Sequence, residues 1–469
     1  MKRLLLTATA CLALGTATIA NNIQVSNASV NGQNAALDYS MVNFNVSWEN
    51  SWRTSTNESN YDGAWVFVKF RKKNAFAWQH ATINYGTGGA ATASGHTEPS
   101  GSTVRTPADG KGVWIYRNAN GSGNVNFTGA QLRWNYGVDG VADNDSVEIR
   151  VFAVEMVYIP QGNFVLGSGG TETNRFRRGD KDTCFAVTSE GTITVGITAA
   201  NLSSSNSTSL GTGTIPAAFP KGYNAFWVMK YEISQQQYAD FLNSIDNASA
   251  TTRNPSGAIY TGTHPNIVPT QPEQGAGSLS VVDVMALLDW SAIRPMTEFE
   301  YEKACRGANQ TPIPNEYPWG NTTLVNVASP TDQGLSTETW ATGNCNFSNA
   351  TPMRCGAVAT ATSNRQQSGA TFYGVMEMGG NISELMVNAT TAGRTYTGTH
   401  GNGNLDNTAS HDVISWPNLS SQIGMRGAAY NTGNFYSYQL MTSDRYDYVS
   451  TTYGSRQPSY GGRGVRTAE

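Results

Sequence analysis

The stretch "RPMTEFEYEKACRG" (Arg294–Gly307) predicts a helix in a chain that is otherwise rich in turns and short strands. Thr297 stands at an N-cap position and Glu300 follows three residues later, which is the spacing of a capping box. Gly307 ends the pattern, because glycine readily adopts the backbone conformation that stops a helix. The sequence therefore predicts one short helix between Thr297 and Gly307.

A second helix is predicted upstream, in "FWVMKYEISQQQYADFLNSI". The apolar run Phe226–Tyr231 is typical of a strand. Ser234 then occupies an N-cap position, and Gln237 completes a capping box. Apolar residues follow at helical spacing, which indicates a strand that leads directly into an amphipathic helix.

Residues 21–152 carry a different pattern, which predicts an all-β sandwich domain. "MVNFNVSWEN" (Met41–Asn50) and "AWVFVKF" (Ala64–Phe70) alternate apolar and polar positions, as half-buried strands do. Loops rich in Gly, Ser, Thr and Ala separate such stretches. The pattern changes near Val154, and residues 153–469 are predicted to form a second domain, so the fold class is α+β.

The N-terminus resembles a signal peptide of residues 1–20. Lys2 and Arg3 precede a short apolar run that ends in small residues at Ala20. A lipidated Cys11 is the alternative, and no apolar run long enough for a transmembrane helix follows. The net charge of -4 gives no electrostatic basis for binding nucleic acid. We therefore expect a secreted or cell-surface bacterial protein.

Four cysteines remain after such a cleavage. They are Cys184, Cys305, Cys345 and Cys355. An even number in an oxidising compartment permits disulfides, and the loop-like ten-residue spacing makes Cys345–Cys355 the candidate pair. The five histidines form no zinc-binding pattern with these cysteines.

Six ordered stretches carry a resemblance to a known family. They are "MVYIPQGNFVLGS", "VMKYEISQQQYADFLN", "RPMTEFEYEKACRG" with "YPWGN", "YGVMEMGGNISELMVN", "MRGAAY" and "GGRGVR". Val154 to Arg466 thereby resembles the formylglycine-generating enzyme, or sulfatase-modifying factor, family. That resemblance implies a variant of the C-type lectin fold with little regular structure.

The same resemblance implies a structural calcium site at the turn in "MEMGGNISEL". The positions that match the family's ligands are Glu377, Gly380, Ile382 and Glu384. Carboxylate and carbonyl oxygens are the ligands that calcium prefers. A second site would fall near Asn346 and Phe347, where the match is loose. The alternative is that Glu384 only hydrogen-bonds the turn.

The chain departs from the family where the enzymes keep their copper-binding cysteines. The corresponding window, Ala428 to Gly464, contains no cysteine. Only sulfur is soft enough to hold Cu(I), and the five scattered histidines do not form the cluster that the iron-using relatives need. We therefore expect no copper, no iron and no family-type catalysis. The weak acid–base pair in "HDVISW" (His411–Trp416) is the nearest substitute.

The window instead holds a segment, Tyr430–Tyr460, with seven Tyr, five Ser and four Thr. This is the composition of an antibody-like binding surface. The predicted ligand-facing residues are Tyr430, Asn431, Asn434, Tyr436, Tyr438, Tyr446, Asp447, Tyr448, Thr452, Tyr453, Ser455 and Tyr460. Leu440, Met441, Ser443, Arg445 and the tail "GGRGVR" would form its framework. The alternative is a long loop that packs its own tyrosines against the domain.

The segment also resembles the mutable region in variable proteins of diversity-generating retroelements, which often use this fold. The favoured hypothesis is an exported, non-catalytic protein that binds a protein or glycan on another cell or phage. One alternative is a structural component of a bacterial gliding or secretion apparatus, held in an envelope complex. The other is a sulfatase-modifying-type oxidoreductase with substituted chemistry.

Overall fold

The computed structural model describes residues 23–73, 75, 77–255, 259–360 and 362–469. The predicted signal peptide and Cys11 lie outside these residues. The N-terminal part is built from strands and one short helix, α1 (Ala91–Ser94). Its strands are β1 (Gln24–Asn34), β2 (Tyr39–Arg53), β3 (Asp62–Lys72), β4 (Gln79–His80), β5 (Ser102–Arg105), β6 (Val113–Arg117), β7 (Gly121–Trp134) and β8 (Val147–Ile159).

The remaining strands are shorter and alternate with helices. The strands are β9 (Phe164–Leu166), β10 (Phe176–Arg178), β11 (Phe185–Val187), β12 (Ile193–Val195), β13 (Leu202–Ser204), β14 (Gly213–Ile215), β15 (Phe226–Met229), β16 (Tyr260–Thr261), β17 (Val268–Pro269), β18 (Arg294–Pro295), β19 (Ala328–Thr331), β20 (Thr339–Thr342), β21 (Ser383–Val387), β22 (Ile423–Arg426), β23 (Tyr460–Gly461) and β24 (Gly464–Thr467). The helices are α2 (Gln235–Leu242), α3 (Asn247–Arg253), α4 (Val281–Trp290), α5 (Glu298–Arg306) and α6 (Arg365–Ser368). None of the helices within the described ranges is long and apolar enough to cross a bilayer.

One sheet runs through both parts of the chain. Its strands follow the order β18-β24-β15-β8-β3-β6-β5, and β4 pairs with β3. β8 pairs with β3 along one edge and with β15 along the other. The predicted boundary between residues 152 and 153 therefore falls inside a strand, and the chain does not separate there. The tail "GGRGVR" ends in β24, which pairs with β15 in the same sheet.

β3 is buried on both faces, which corrects the prediction of a half-buried strand. Ala64, Val66 and Val68 pack into the core shared with β2 and β7. Trp65 and Phe67 point the other way, into the core that contains helices α2 and α4. β2 does alternate between buried and partly exposed residues, as predicted, because only one of its faces meets a core.

Both predicted helices form where their caps indicate. Ser234 caps α2 and Thr297 caps α5, each within a complete capping box, and α5 ends at Gly307. Helix α4 was not predicted from the sequence. Its residues are almost all apolar, so the pattern lacks the polar face that reveals an amphipathic helix. Nearly the whole helix is buried, which explains that composition.

All four cysteines within the described residues are free thiols. The predicted Cys345–Cys355 disulfide is therefore wrong in this structure. The Cys345 thiol donates to the Gly379 carbonyl at 3.2 Å, whereas the Cys355 thiol faces the Glu232 carbonyl at 4.0 Å. The fold thus directs the two side chains at different parts of the backbone.

Helix α5 holds arginines from distant parts of the chain. Glu298 accepts two hydrogen bonds from Arg445, at 2.7 and 2.8 Å, and one from Arg426 at 3.2 Å. Glu300 binds Arg294 through both carboxylate oxygens, at 2.6 and 3.0 Å. We call Glu298, Glu300, Glu302 and their arginine partners the α5 ion cluster. Its members are buried, so each charge depends on its partner.

Burial alone would raise the pKa of Glu298, but the Arg445 and Arg426 guanidinium groups hold it below its usual range. We expect Glu298→Ala to lower the free energy of unfolding by about 3–5 kcal/mol, because Arg445 is left buried without its carboxylate partner. Glu148→Ala is the matched control. This variant breaks the ion pair between Arg71 and Glu148, whose side chains are 28% and 40% exposed. The free energy of unfolding should therefore fall by less than about 1 kcal/mol. Equal urea midpoints for the two variants would contradict the central role of the cluster.

Candidate functional site

The Tyr-rich segment (residues 430–460) is anchored at its middle by buried framework residues. Leu440 is fully buried in a cluster with Tyr317 and Trp319. The Ser443 hydroxyl donates to Glu302 at 3.1 Å and accepts from Arg306 at 2.8 Å, so it is held by α5. Arg445 reaches Glu298 in the same helix. The framework predicted for Leu440, Ser443 and Arg445 is therefore buried as expected, while Met441 is half-buried.

Four aromatic side chains form a continuous row on the outside of this framework. Phe435, Tyr436 and Tyr446 are 82%, 44% and 48% exposed, and Tyr438 is half-buried between them. The ring centroids lie 4.8 Å apart for Phe435–Tyr436, 6.2 Å for Tyr436–Tyr438 and 5.9 Å for Tyr438–Tyr446. We call Phe435, Tyr436, Tyr438 and Tyr446 the aromatic row. Its first three members share a 3-10 helix, Asn434–Leu440, and Tyr446 follows Arg445.

The structure divides the predicted ligand-facing residues by exposure. Asn431, Asn434, Tyr436, Tyr446, Thr452 and Ser455 are exposed, whereas Tyr438, Asp447, Tyr448 and Tyr460 are half-buried. Burial raises the pKa of Asp447 to about 6, so its negative charge appears as the pH rises through that value. Ten of the twelve predicted residues are thus at least partly accessible to a ligand.

Two predicted contact residues are buried and do not face a ligand. Tyr453 is fully buried, and its hydroxyl donates to the Asp447 carbonyl at 2.7 Å. Tyr430 is 7% exposed and packs with Ile382 and Ala429. These two tyrosines pack beneath the segment. The alternative hypothesis, a long loop that packs its tyrosines against the domain, predicted this position for all tyrosines of the segment. Composition does not distinguish a supporting tyrosine from a contacting one.

Sequence reasoning missed Phe435, the most exposed member of the aromatic row. Phenylalanine does not belong to the amide and hydroxyl residues that typify adaptable binding loops. The only sequence signal is its position between Asn434 and Tyr436. Its ring is 82% exposed and lies beside Tyr436, so it extends the exposed aromatic surface of the row.

Of the predicted calcium ligands, Glu377, Gly380 and Ile382 lie in a tight turn before β21, and Glu384 lies within β21. Glu377 and Asn381 have positive φ angles of 51° and 62°, a backbone conformation that residues other than glycine rarely adopt. Gly380 is required there, because a Cβ would lie 2.5 Å from the Cys345 sulfur and 2.6 Å from the Asn346 carbonyl oxygen. Backbone strain of this kind clusters at functional sites.

The two glutamates of this turn have different partners. One oxygen of Glu384 accepts from Arg463 at 2.7 and 2.8 Å, so that carboxylate is already neutralised. One oxygen of Glu377 accepts from the Gly356 amide at 2.8 Å, and its other oxygen is buried with no hydrogen-bond partner. Burial raises the pKa of Glu377 to about 7. Each of the two glutamates keeps one buried oxygen without a hydrogen-bond partner. Glu384 is paired with Arg463, whereas Glu377 has no salt-bridge partner among the described residues, so Glu377 would gain more from a cation.

Sequence reasoning missed a third glutamate beside this turn, Glu232 in "KYEIS". Its carboxylate accepts from the Asn381 side chain at 2.6 Å and from the Ile382 amide at 2.8 Å. In the described part of the chain, no group of three or more His, Cys, Asp or Glu side chains converges on a common metal position. Calcium at this turn, and at Asn346 and Phe347, stays a prediction.

The weak acid–base candidate His411 does not form a catalytic arrangement with its neighbour. Asp412 accepts a hydrogen bond from the Asn402 side chain at 2.6 Å. The His411 ring packs beside Trp416 at 5.4 Å, and burial lowers its pKa. The two side chains are therefore engaged separately in packing and loop structure.

Glu377→Gln tests the charge balance of the turn. The pKa of Glu377 is about 7 in the folded protein and roughly 4.3 in an unfolded chain, so ionisation opposes folding. The stability that this group supports is complete below about pH 4.3 and is lost as the pH rises through 7. Between about pH 5 and 8, the free energy of unfolding of the wild type should fall by on the order of 3 kcal/mol more than that of the variant. Chemical unfolding across that range measures the difference, and parallel pH profiles would contradict it.

The same variant tests the predicted calcium. Added calcium should raise the melting temperature of the EDTA-stripped wild type near pH 8 and leave Glu377→Gln unchanged, because a cation would offset the unpaired carboxylate. An equal shift in both proteins, or no shift in either, would rule out a calcium ligand at Glu377.

A scan against models of protein families matches residues 147–468 to the Sulfatase-modifying factor enzyme 1-like domain. A search of curated proteins finds no match. The matched region begins at the first residue of β8 and includes α2, α5, the strained turn and the Tyr-rich segment. Because it covers more than half of the chain, this protein belongs to the sulfatase-modifying factor family.

Proposed function

We propose that this protein is an exported, non-catalytic binding protein that engages its ligand through the aromatic row. The observation that carries the proposal is the exposure of Phe435, Tyr436 and Tyr446 on a framework that is itself buried. Tyrosine offers a large contact area at a small loss of conformational entropy, since few of its torsions must be fixed. Exposed aromatic anchors of this kind supply much of the energy in protein interfaces.

The chemistry of the cysteines supports a role without catalysis. The window that carries the cysteines in the family's oxidising members holds the aromatic row instead. The thiols that this chain does have in its core, Cys305, Cys345 and Cys355, are fully buried or nearly so. Burial raises the pKa of all three thiols, which disfavours the thiolate that would bind copper or act as nucleophile.

The architecture supports display of the segment on a rigid support. In the proposal, the matched domain has a C-type-lectin-like fold and the strands β1–β7 form a sandwich that is joined to it through the central sheet. The pairing of β3 with β8 over Asp62–Lys72 supports this arrangement, because it leaves no flexible linker between the two parts. The ligand is a protein or glycan on another cell or on a phage.

Replacing three members of the aromatic row tests the proposal. The variant Phe435→Ala/Tyr436→Ala/Tyr446→Ala should lose at least about tenfold in affinity for a bound envelope protein or glycan, since it removes the exposed anchors. Immobilised wild type and variant are compared on a glycan array and on a detergent extract of bacterial envelopes. Leu37→Ala, at a residue that is 61% exposed on the sandwich, is the control.

Unchanged retention of every ligand by the triple variant would overturn the proposal. A stable stoichiometric envelope complex that forms equally with wild type and variant would instead support the structural role in a surface apparatus.

The proposal extends to genetic diversification of residues 430–460, and genome sequence tests it. We expect a nearby reverse transcriptase gene and an adenine-rich copy of the segment, because adenine-directed mutagenesis of tyrosine and asparagine codons yields the observed residue types. Buried framework positions such as Leu440 and Arg445 should be identical in the copy. A genome without either element would rule out diversification. The binding function would still be tested by the triple variant of the aromatic row.

A further inference from the structure

A cleft lies on the central sheet and shares no lining residue with the aromatic row. It has a volume of about 480 Å³ and is lined by Tyr61, Tyr85, Arg105, Tyr116, Tyr158 and Trp227, among others. Tyr61 directly precedes β3, Tyr116 lies on β6, Tyr158 on β8 and Trp227 on β15. Since these strands are neighbours in one sheet, residues from both parts of the chain form a single wall. A volume of this size is typical of small-molecule sites.

The wall is a layer of interlocked aromatic rings. Tyr61 stacks on Tyr158 with centroids 4.7 Å apart and lies 4.9 Å from Tyr116. Trp227 meets Tyr61 and Tyr158 edge-on, at 5.3 Å from each, and stacks on Trp114 at 4.2 Å. The two tryptophans are buried, whereas the three tyrosines are half-buried. The site is thus preformed, so a ligand would bind without ordering its wall.

The three tyrosines bring polar ends to this apolar wall. Among the described residues, the hydroxyls of Tyr61, Tyr116 and Tyr158 have no hydrogen-bond partner. Burial, and then the proximity of Tyr116, raises the pKa of both Tyr61 and Tyr158, so these two phenols stay protonated. A phenol both donates and accepts. The wall therefore combines ring surface with three unused donor and acceptor groups.

The charges around the cleft argue against a cationic ligand. The Arg53 guanidinium lies 4.4 Å from the Tyr61 ring centroid and 5.5 Å from that of Tyr116. Its Nη1 donates to the Arg117 carbonyl at 2.8 Å, which fixes it there. Arg53 thus repels a ligand cation and covers this part of the wall, so a ligand would rest on the rings of Tyr158 and Trp227 instead. Arg105 and Glu469 line the cleft with opposite charges, so its rim favours neither sign.

We propose that this cleft binds a neutral saccharide. A pyranose ring has an apolar face of C–H groups and a rim of hydroxyls, and these complement the aromatic wall and the unused phenols. Arg105 and Glu469 offer a further donor and acceptor at the rim. No strand of this wall carries a member of the aromatic row, so the cleft is a second site whose function does not depend on the first.

Titration with a panel of sugars tests the proposal. The probes are glucose, galactose, mannose, N-acetylglucosamine, maltose and cellobiose, with adenosine as a planar aromatic comparison. Ligand-observed NMR detects binding, and tryptophan fluorescence follows it because Trp227 and Trp114 lie at the wall. We expect at least one sugar to bind the full-length protein at millimolar concentration.

Hydroxyl-deletion variants locate the bound sugar without removing the rings. Tyr116→Phe and Tyr158→Phe should each weaken binding roughly 3–10-fold, since each removes one hydrogen bond to the ligand. Tyr39→Phe, on β2 and outside both the cleft and the aromatic row, is the matched control and should leave sugar binding unchanged. The variants keep the ring contacts, so their melting temperatures should match that of the wild type.

Three results would overturn the proposal. The first is that no sugar in the panel binds at millimolar concentration. The second is that a sugar binds equally well to the wild type and to both hydroxyl-deletion variants. The third is that adenosine binds with sensitivity to these variants and the sugars do not, which would assign the cleft to planar aromatic ligands. The triple variant of the aromatic row leaves this cleft intact, so its effect distinguishes failure of the proposed function from failure here.

Discussion

The α5 ion cluster is the interaction on which the placement of the candidate surface depends. A helix of nine residues supplies the carboxylates that bind Arg294, just before the helix, and Arg426 and Arg445, which lie 128 and 147 residues after Glu298. Buried guanidinium and carboxylate groups are costly unless they meet in good geometry, so the cluster permits few alternative arrangements. Arg445 in particular fixes the middle of the Tyr-rich segment. The aromatic row can therefore stay exposed while its backbone is held.

The central sheet imposes the second constraint. Lys230 on the chain after β15 lies 3.0 Å from Glu155 on β8 and 3.4 Å from Asp62 on β3, and all three side chains are buried. These ion pairs connect β3, β8 and the end of β15 at one point of the sheet. Trp227 on β15, Tyr158 on β8 and Tyr61 directly before β3 line the cleft on the same sheet. The N-terminal strands are thus part of the support for the family domain and contribute directly to its surface.

Much of the local structure was predictable from short-range patterns. Ser234 and Thr297 marked helix starts correctly, because capping depends on residues only three positions apart. Helix α4 was not predicted, because its mostly apolar sequence reflects burial on nearly every side, which is a property of the tertiary structure. β3 appeared half-buried for a related reason, since alternation in a sequence does not reveal a second core against the other face. The exposure of Phe435 and the burial of Tyr453 likewise depend on neighbours that are distant in sequence.

The sequence by itself determined the family, the two capped helices, the framework positions Leu440 and Arg445, and the absence of cysteine from the Tyr-rich residues 428–464. Each of these follows from the identity of the residues or from their spacing within a few positions. Only the tertiary structure decided which tyrosines face outward, that Cys345 and Cys355 point apart, and that Arg463 pairs with Glu384 rather than with Glu377. The physical reason is that exposure and charge pairing are set by contacts between segments that sequence spacing does not relate.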